Sequence, residues 1–276
     1  MTSAAIQHEE NIDLVICLHS SMSSSRQWDG LAERLGPSCR VEAVDLHGYG
    51  RGPQWEYGPV SLQQEVSPLL KLIDAQQGSV HLVGHSYGAA VAIKTAQLAS
   101  QQVSSLTIYE PPVFCALFSN NMVNLPEVRA AGQLIADMHR SYLCGNADLA
   151  ASRFVDYWSG AGAWNAIAAD KQLELAQQIP TVLANFEALL SETDLFTGLA
   201  DAQIPTLCLA GEQSPAVVAP MLQALQQQLP HAQTHRFPGL GHLGPITHTD
   251  VVNNRIAGFV LDQGGDGSDA NYPRAA

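Results

Sequence analysis

At 276 residues the chain is long enough for a full core, and its length suits one large domain with an insertion as well as two separate ones. A formal charge of -13, from 26 acidic against 13 basic residues with no Lys/Arg run, argues against nucleic acid and against an anionic membrane surface, leaving a small-molecule substrate or a protein partner. The five cysteines (Cys17, Cys39, Cys115, Cys144, Cys208) include no CxxC pair and read as reduced thiols of a cytoplasmic protein. The opening MTSAAIQHEENID lacks the basic and apolar regions of a secretory signal, and no apolar run approaches the ~18 residues of a membrane helix, so no membrane insertion is expected. The oligomeric state stays open.

In chain order, runs rich in Val, Ile and Leu recur at 12–18, 40–45, 79–84, 103–109, 204–210 and 232–237. The first, third and fifth are apolar on both faces, as strands of a sheet covered by helices must be. Helix-like segments fall between them at 27–35, 61–75, 87–101, 216–228 and 249–262. In 61–75, for instance, Leu62, Val66, Leu69, Leu70 and Ile73 share one stripe at helical spacing. This alternation predicts an α/β fold with about six mainly parallel strands flanked by helices.

One interval breaks the pattern, because residues 111–203 hold helix-like sequences and no convincing strand. PEVRAAGQLIADMHRSYL, DLAASRFVDYWSG and VLANFEALLSE are separated by Gly, Asn and Pro. The expected division is a core at 1–112 and 203–262 with a helical lid inserted at 113–202. The tail 263–276 is rich in Gly and Asp, nearly without apolar residues, and is expected to be disordered.

The strongest chemical signal is SVHLVGHSYGAAVAIKTA, where a strand runs into Gly84-His85-Ser86-Tyr87-Gly88 and at once into a helix. A serine on such a turn exposes its Oγ, and the positions two residues either side, Gly84 and Gly88, lie too close to sheet and helix for a side chain. The N–H of Tyr87 then stands at a helix N-terminus, facing any oxyanion formed by attack. A serine hydroxyl needs a base, and of the ten histidines His242 lies at a strand exit between glycines. His248 is the fallback, and His85 reads as packed. His231/His235 and His8 with Glu9 and Glu10 could suggest metal ligands, but HExxH and a carboxylate cluster are absent, and no metal or other cofactor is implied.

With Leu18-His19-Ser20-Ser21, Asp45-Leu46-His47-Gly48-Tyr49-Gly50 and Pro238-Gly239-Leu240-Gly241-His242 at further strand exits, the chain resembles the α/β-hydrolase family outside the tail. The resemblance implies a serine hydrolase working through an acyl-enzyme on an ester or related acyl bond of a small, partly apolar substrate, resembling the carboxylesterases. It implies His242 as the base and the Ser21 N–H, with that of Tyr87, as the oxyanion donors, although Ser20 stands where glycine is usual. The acid is the departure. In GEQSP the family's common aspartate position holds Ser214, with Glu212 two residues earlier. The family's other location, the end of the preceding strand, holds Glu110 before Pro111 and Pro112. Glu110 is therefore the first choice for the acid and Glu212 the second. Carbon–carbon bond hydrolysis, lactone opening and acyl transfer use the same groups, and a non-catalytic binding protein of this fold is the alternative from another class. Phe114, Phe118, Phe154, Trp158, Trp164 and Phe186 suggest an apolar acyl or alcohol side.

Overall fold

The computed structural model describes residues 12–55 and 60–264. Six strands, β1 (Asp13–Leu18), β2 (Cys39–Val44), β3 (Val80–His85), β4 (Val103–Tyr109), β5 (Thr206–Gly211) and β6 (Gln233–Phe237), form one sheet in the order β2-β1-β3-β4-β5-β6. Every pairing is parallel. The α/β fold expected from the alternating pattern, and the α/β-hydrolase fold that the resemblance implies, is the fold observed, with each strand within two residues of its predicted bounds.

The strands alternate between two cores. Leu14, Ile16 and Leu18 of β1 enter one cluster, and Val15 and Cys17 enter the other. That is the period-two pattern of a sheet covered on both faces. Helix α1 (Asp29–Leu35) covers the second cluster with Leu31 and Leu35. On the opposite face α2 (Leu62–Asp74) contributes Leu62, Val66, Leu69 and Ile73, and Ser61 caps it by a reciprocal hydrogen-bond pair with Gln64. Each such fully buried side chain contributes about 1.5–3 kcal/mol. Helix α3 (Tyr87–Leu98) is buried from Tyr87 to Thr95 and beyond, which its run of Gly and Ala permits. It ends three residues earlier than predicted, because the N–H groups of Gln102 and Val103 turn back to the Ala99 carbonyl and lead into β4.

Between β4 and β5 the chain forms helices only: α4 (Phe114–Ser119), α5 (Pro126–Leu143), α6 (Ala147–Ser159), α7 (Ala169–Gln177), α8 (Ile179–Ser191) and α9 (Leu199–Ala202), with two single-turn 3-10 segments. Past β5, α10 (Val218–Gln228) joins the first cluster; past β6 come α11 (Gly244–Thr247) and α12 (Thr249–Gln263). Helix α12 seals the second cluster with Val252, Ile256, Phe259 and Val260. Of the tail, Gln263 closes α12 and Gly264 follows; residues from 265 on, like His8, Glu9 and Glu10, lie outside the described residues.

The glycine pair around Ser86 is set by packing. A Cβ on Gly88 would stand 2.4 Å from the carbonyl oxygens of both Leu18 and His19, and one on Gly84 would stand 2.5 Å from Ala89 Cα. These contacts are backbone and cannot swing aside. Gly88→Ala should therefore lower stability by roughly 1–3 kcal/mol, read as a drop in Tm, whereas Gly132→Ala, where a Cβ meets nothing within 4 Å, should not lower it.

Candidate active site

Strand β3 delivers the chain into Ser86, which is held at φ 52°, ψ -121°. A non-glycine residue tolerates this only where its surroundings fix it. Here the Ser86 N–H donates to the Tyr109 carbonyl at 2.9 Å, and the Ser86 carbonyl accepts from Ala89 N–H at 2.9 Å and Ala90 N–H at 3.2 Å. The Tyr87 N–H opens helix α3 and donates to nothing among the described residues. It lies at the positive end of the helix dipole.

Ser86 Oγ lies 3.0 Å from His242 Nε2, and His242 Nδ1 lies 2.7 Å from Glu110 Oε2. Both His242 and Glu110 are only 4% exposed. Glu110 sits just past β4 at φ 46°, and its N–H donates to the Leu209 carbonyl of β5 at 3.0 Å. Its second carboxylate oxygen accepts the Gly211 N–H at 2.7 Å and the Ser214 hydroxyl. The serine in the usual aspartate position is thus a hydrogen-bond donor to the carboxylate that faces the histidine. Glu212, the second candidate for the acid, is exposed, and its side chain makes no hydrogen bond or ion pair among the described residues. His248 is exposed at the start of α12, with its Nδ1 2.9 Å from Thr247 Oγ1, and does not join the cluster.

Several residues without any motif hold the histidine loop. Tyr109 donates its hydroxyl to the Gly241 carbonyl at 2.7 Å. Buried His85 has Nε2 2.9 Å from the His242 carbonyl and Nδ1 3.1 Å from the Gln27 amide nitrogen. With Gln27 donating to Nδ1, the His85 proton resides on Nε2 and is donated to that carbonyl. Burial, and secondarily the neighbouring His242, push the His85 pKa well below the ordinary imidazole range, so the ring stays neutral. Gln27 Oε1 in turn accepts from the Ser20 N–H at 3.2 Å and hydroxyl at 3.3 Å. One chain of polar contacts therefore joins the loop after β1 to the loop after β6.

The Ser21 N–H, like that of Tyr87, donates to nothing among the described residues. Its hydroxyl donates to Asn185 Oδ1 of α8 at 2.9 Å, and Tyr49 OH donates to the same oxygen at 2.6 Å. The left-handed residue of this loop is Met22, at φ 59°, and not Ser20. The loop accordingly turns without a glycine at position 20. His19 fixes it from beneath: Nδ1 lies 2.7 Å from the Ser20 carbonyl, and Nε2 accepts from the Leu46 N–H at 3.1 Å.

The inserted helices reach the same place. Trp158 of α6 lies against the His242 ring, centroids 4.3 Å apart and planes 36° apart. Phe154 links it to Phe186 (6.4 and 6.2 Å), and Phe186 lies 6.4 Å from Phe114. Phe118 is 50% exposed and outside this cluster. Among the described residues no group of three or more His, Cys, Asp or Glu is gathered as a metal ion requires. His231 contacts the Ile204 carbonyl, and His235 packs edge-on against Phe237.

The arrangement can pass a hydroxyl proton to a carboxylate-oriented imidazole, which is the proton relay of acyl transfer. Comparison with known proteins agrees. A sequence profile of the alpha/beta hydrolase family matches residues 15–255. A pimeloyl-[acyl-carrier protein] methyl ester esterase of Edwardsiella ictaluri is 31% identical over 247 residues, 86% of this chain and 89% of that protein. The enzyme of the same name from Yersinia enterocolitica is 29% identical over 258 residues, covering 91% and 94%. The crystal structure of MGS-M2, an alpha/beta hydrolase from a Medee basin deep-sea metagenome library, superposes with a TM-score of 0.71 at 16% identity, covering 95% of this chain and 93% of that one. No described helix is long and apolar enough to cross a membrane. Fold, strand-exit motifs and full-length relatives converge: the chain belongs to the alpha/beta hydrolase family, as one of its serine hydrolases.

Proposed function

We propose that this enzyme cleaves esters of a partly apolar acyl group through an acyl-enzyme formed on Ser86. The Ser86 hydroxyl gives its proton to His242 Nε2 as Oγ attacks the carbonyl carbon. Glu110 holds the Nδ1 proton and stabilises the imidazolium that results. The N–H groups of Tyr87 and Ser21 accommodate the oxyanion, and His242 then protonates the leaving alcohol. Water attacks the acyl-enzyme by the same relay run again. Residues 1–112 and 203–262 act as the catalytic core, and 113–202 as a lid. The methyl ester named in the relatives' activity suggests a small alcohol on the substrate. We place the protein in the cytoplasm, where the free thiols of Cys17, Cys39, Cys115, Cys144 and Cys208 remain reduced.

The observation that carries this reading is the unbroken contact from Ser86 Oγ through His242 to Glu110, at 3.0 and 2.7 Å. The Ser214 hydroxyl, in the position where the family usually has an aspartate, donates to Glu110, which supports a catalytic carboxylate at Glu110 over the non-catalytic alternative. A lid function is supported by Trp158 against His242 and Asn185 against Ser21.

A fluorophosphonate probe followed by peptide mass analysis should place a single adduct on Ser86; a folded protein left unlabelled at Ser86 would refute the nucleophile assignment. Glu110→Gln should lower ester turnover by roughly a thousandfold or more. Ser214→Ala, which removes one donor to a charged group, should lower it by about tenfold. Glu212→Gln should leave it unchanged, and a large loss there with an active Glu110→Gln variant would reverse the assignment.

A further inference from the structure

We infer that Trp158 is the residue that limits the alcohol side of the substrate. The inference rests on the reading of Ser86 as nucleophile and His242 as base. During acylation the Ser86 Oγ–carbon bond forms, the bond from that carbon to the alkoxy oxygen breaks, and the proton on His242 Nε2 passes to the departing alkoxide. The alkoxy oxygen must then lie within about 2.6–3.2 Å of Nε2, so the alcohol's carbon atoms extend alongside the imidazole. A ring whose centroid lies 4.3 Å from that of His242 is in contact with the imidazole and leaves no room for an atom between them.

Trp158 is held in this place from two sides. Tyr157 meets it edge-on with centroids 5.1 Å apart, and Phe154 packs at 6.4 Å. Its indole nitrogen is buried and has no hydrogen-bond acceptor among the described residues. A buried donor without an acceptor is unfavourable, and the penalty is removed when an acceptor arrives. The alkoxy oxygen of an ester at Nε2 brings such an acceptor beside the same ring. The aromatic chain from Phe154 through Phe186 to Phe114 supplies an apolar wall for the acyl group, while the indole closes the alcohol end. Small alcohols fit this arrangement and bulky ones collide with Trp158.

The test compares methyl and benzyl hexanoate, which yield the same acyl-enzyme, so the ratio of their kcat/KM values reads the alcohol side alone. The parent should prefer the methyl ester, and Trp158→Ala should shift the ratio toward the benzyl ester by about tenfold or more. Trp158→Leu keeps an apolar side chain in the lid and should shift the ratio in the same direction if the alanine variant is unstable. An unchanged ratio in a folded variant whose Ser86 still reacts with fluorophosphonate would overturn the inference. Absence of both labelling and turnover in the parent would instead overturn the hydrolase reading beneath it.

Discussion

A buried carboxylate at the end of the fourth strand ties together parts of the chain that are more than a hundred residues apart. Glu110 takes its backbone partner from β5, its side-chain partners from Gly211 at the end of β5 and Ser214 in the loop that follows, and the His242 ring from the loop after β6. A carboxylate 4% exposed is costly without such donors, and with three of them it is held in one position. Its left-handed backbone, φ 46°, is held by its N–H donating to the Leu209 carbonyl and by the preceding Tyr109 carbonyl accepting from the Ser86 N–H. The two prolines that follow turn the chain out of the sheet and into the inserted helices. The position of Glu110 and the departure point of the insertion are therefore one structural choice.

The same economy of short contacts positions the remaining groups. Gln27 and His85 connect Ser20 to the His242 carbonyl, and Tyr109 anchors Gly241. Asn185 reaches from α8 to Ser21, and Trp158 reaches from α6 to His242. The loops after β1 and β6 are thus held by the core on one side and by the inserted helices on the other. The N–H groups of Tyr87 and Ser21 donate to nothing among the described residues and so remain free to meet an acceptor.

Much of this was legible in the sequence because it depends on local rules. Strand–turn–helix around Ser86 follows from period-two and helical patterning plus two glycines, and the backbone contacts at Gly84 and Gly88 are the physical form of that motif. Glu110 could be singled out because it stands, before Pro111 and Pro112, at the strand end where the family resemblance implies the other location of the acid. The supporting residues were not legible. Gln27, Tyr109 and Asn185 act through contacts 58, 132 and 164 residues away in the chain, and nothing in their own neighbourhoods marks them. Ser214 was visible only as a missing aspartate; its donation to Glu110 required the fold. Ser20 misled in the opposite way, since the left-handed turn expected of a glycine falls on Met22.

Glu110, and not Glu212, faces the His242 ring. Proton NMR with nitrogen-15-labelled histidine reads this contact directly, because a ring N–H donated to a buried carboxylate resonates far downfield of other amide and ring protons. Such a signal is expected from His242 Nδ1 in the parent and in Glu212→Gln, and its loss in Glu110→Gln. A signal that survives Glu110→Gln and disappears in Glu212→Gln would contradict it.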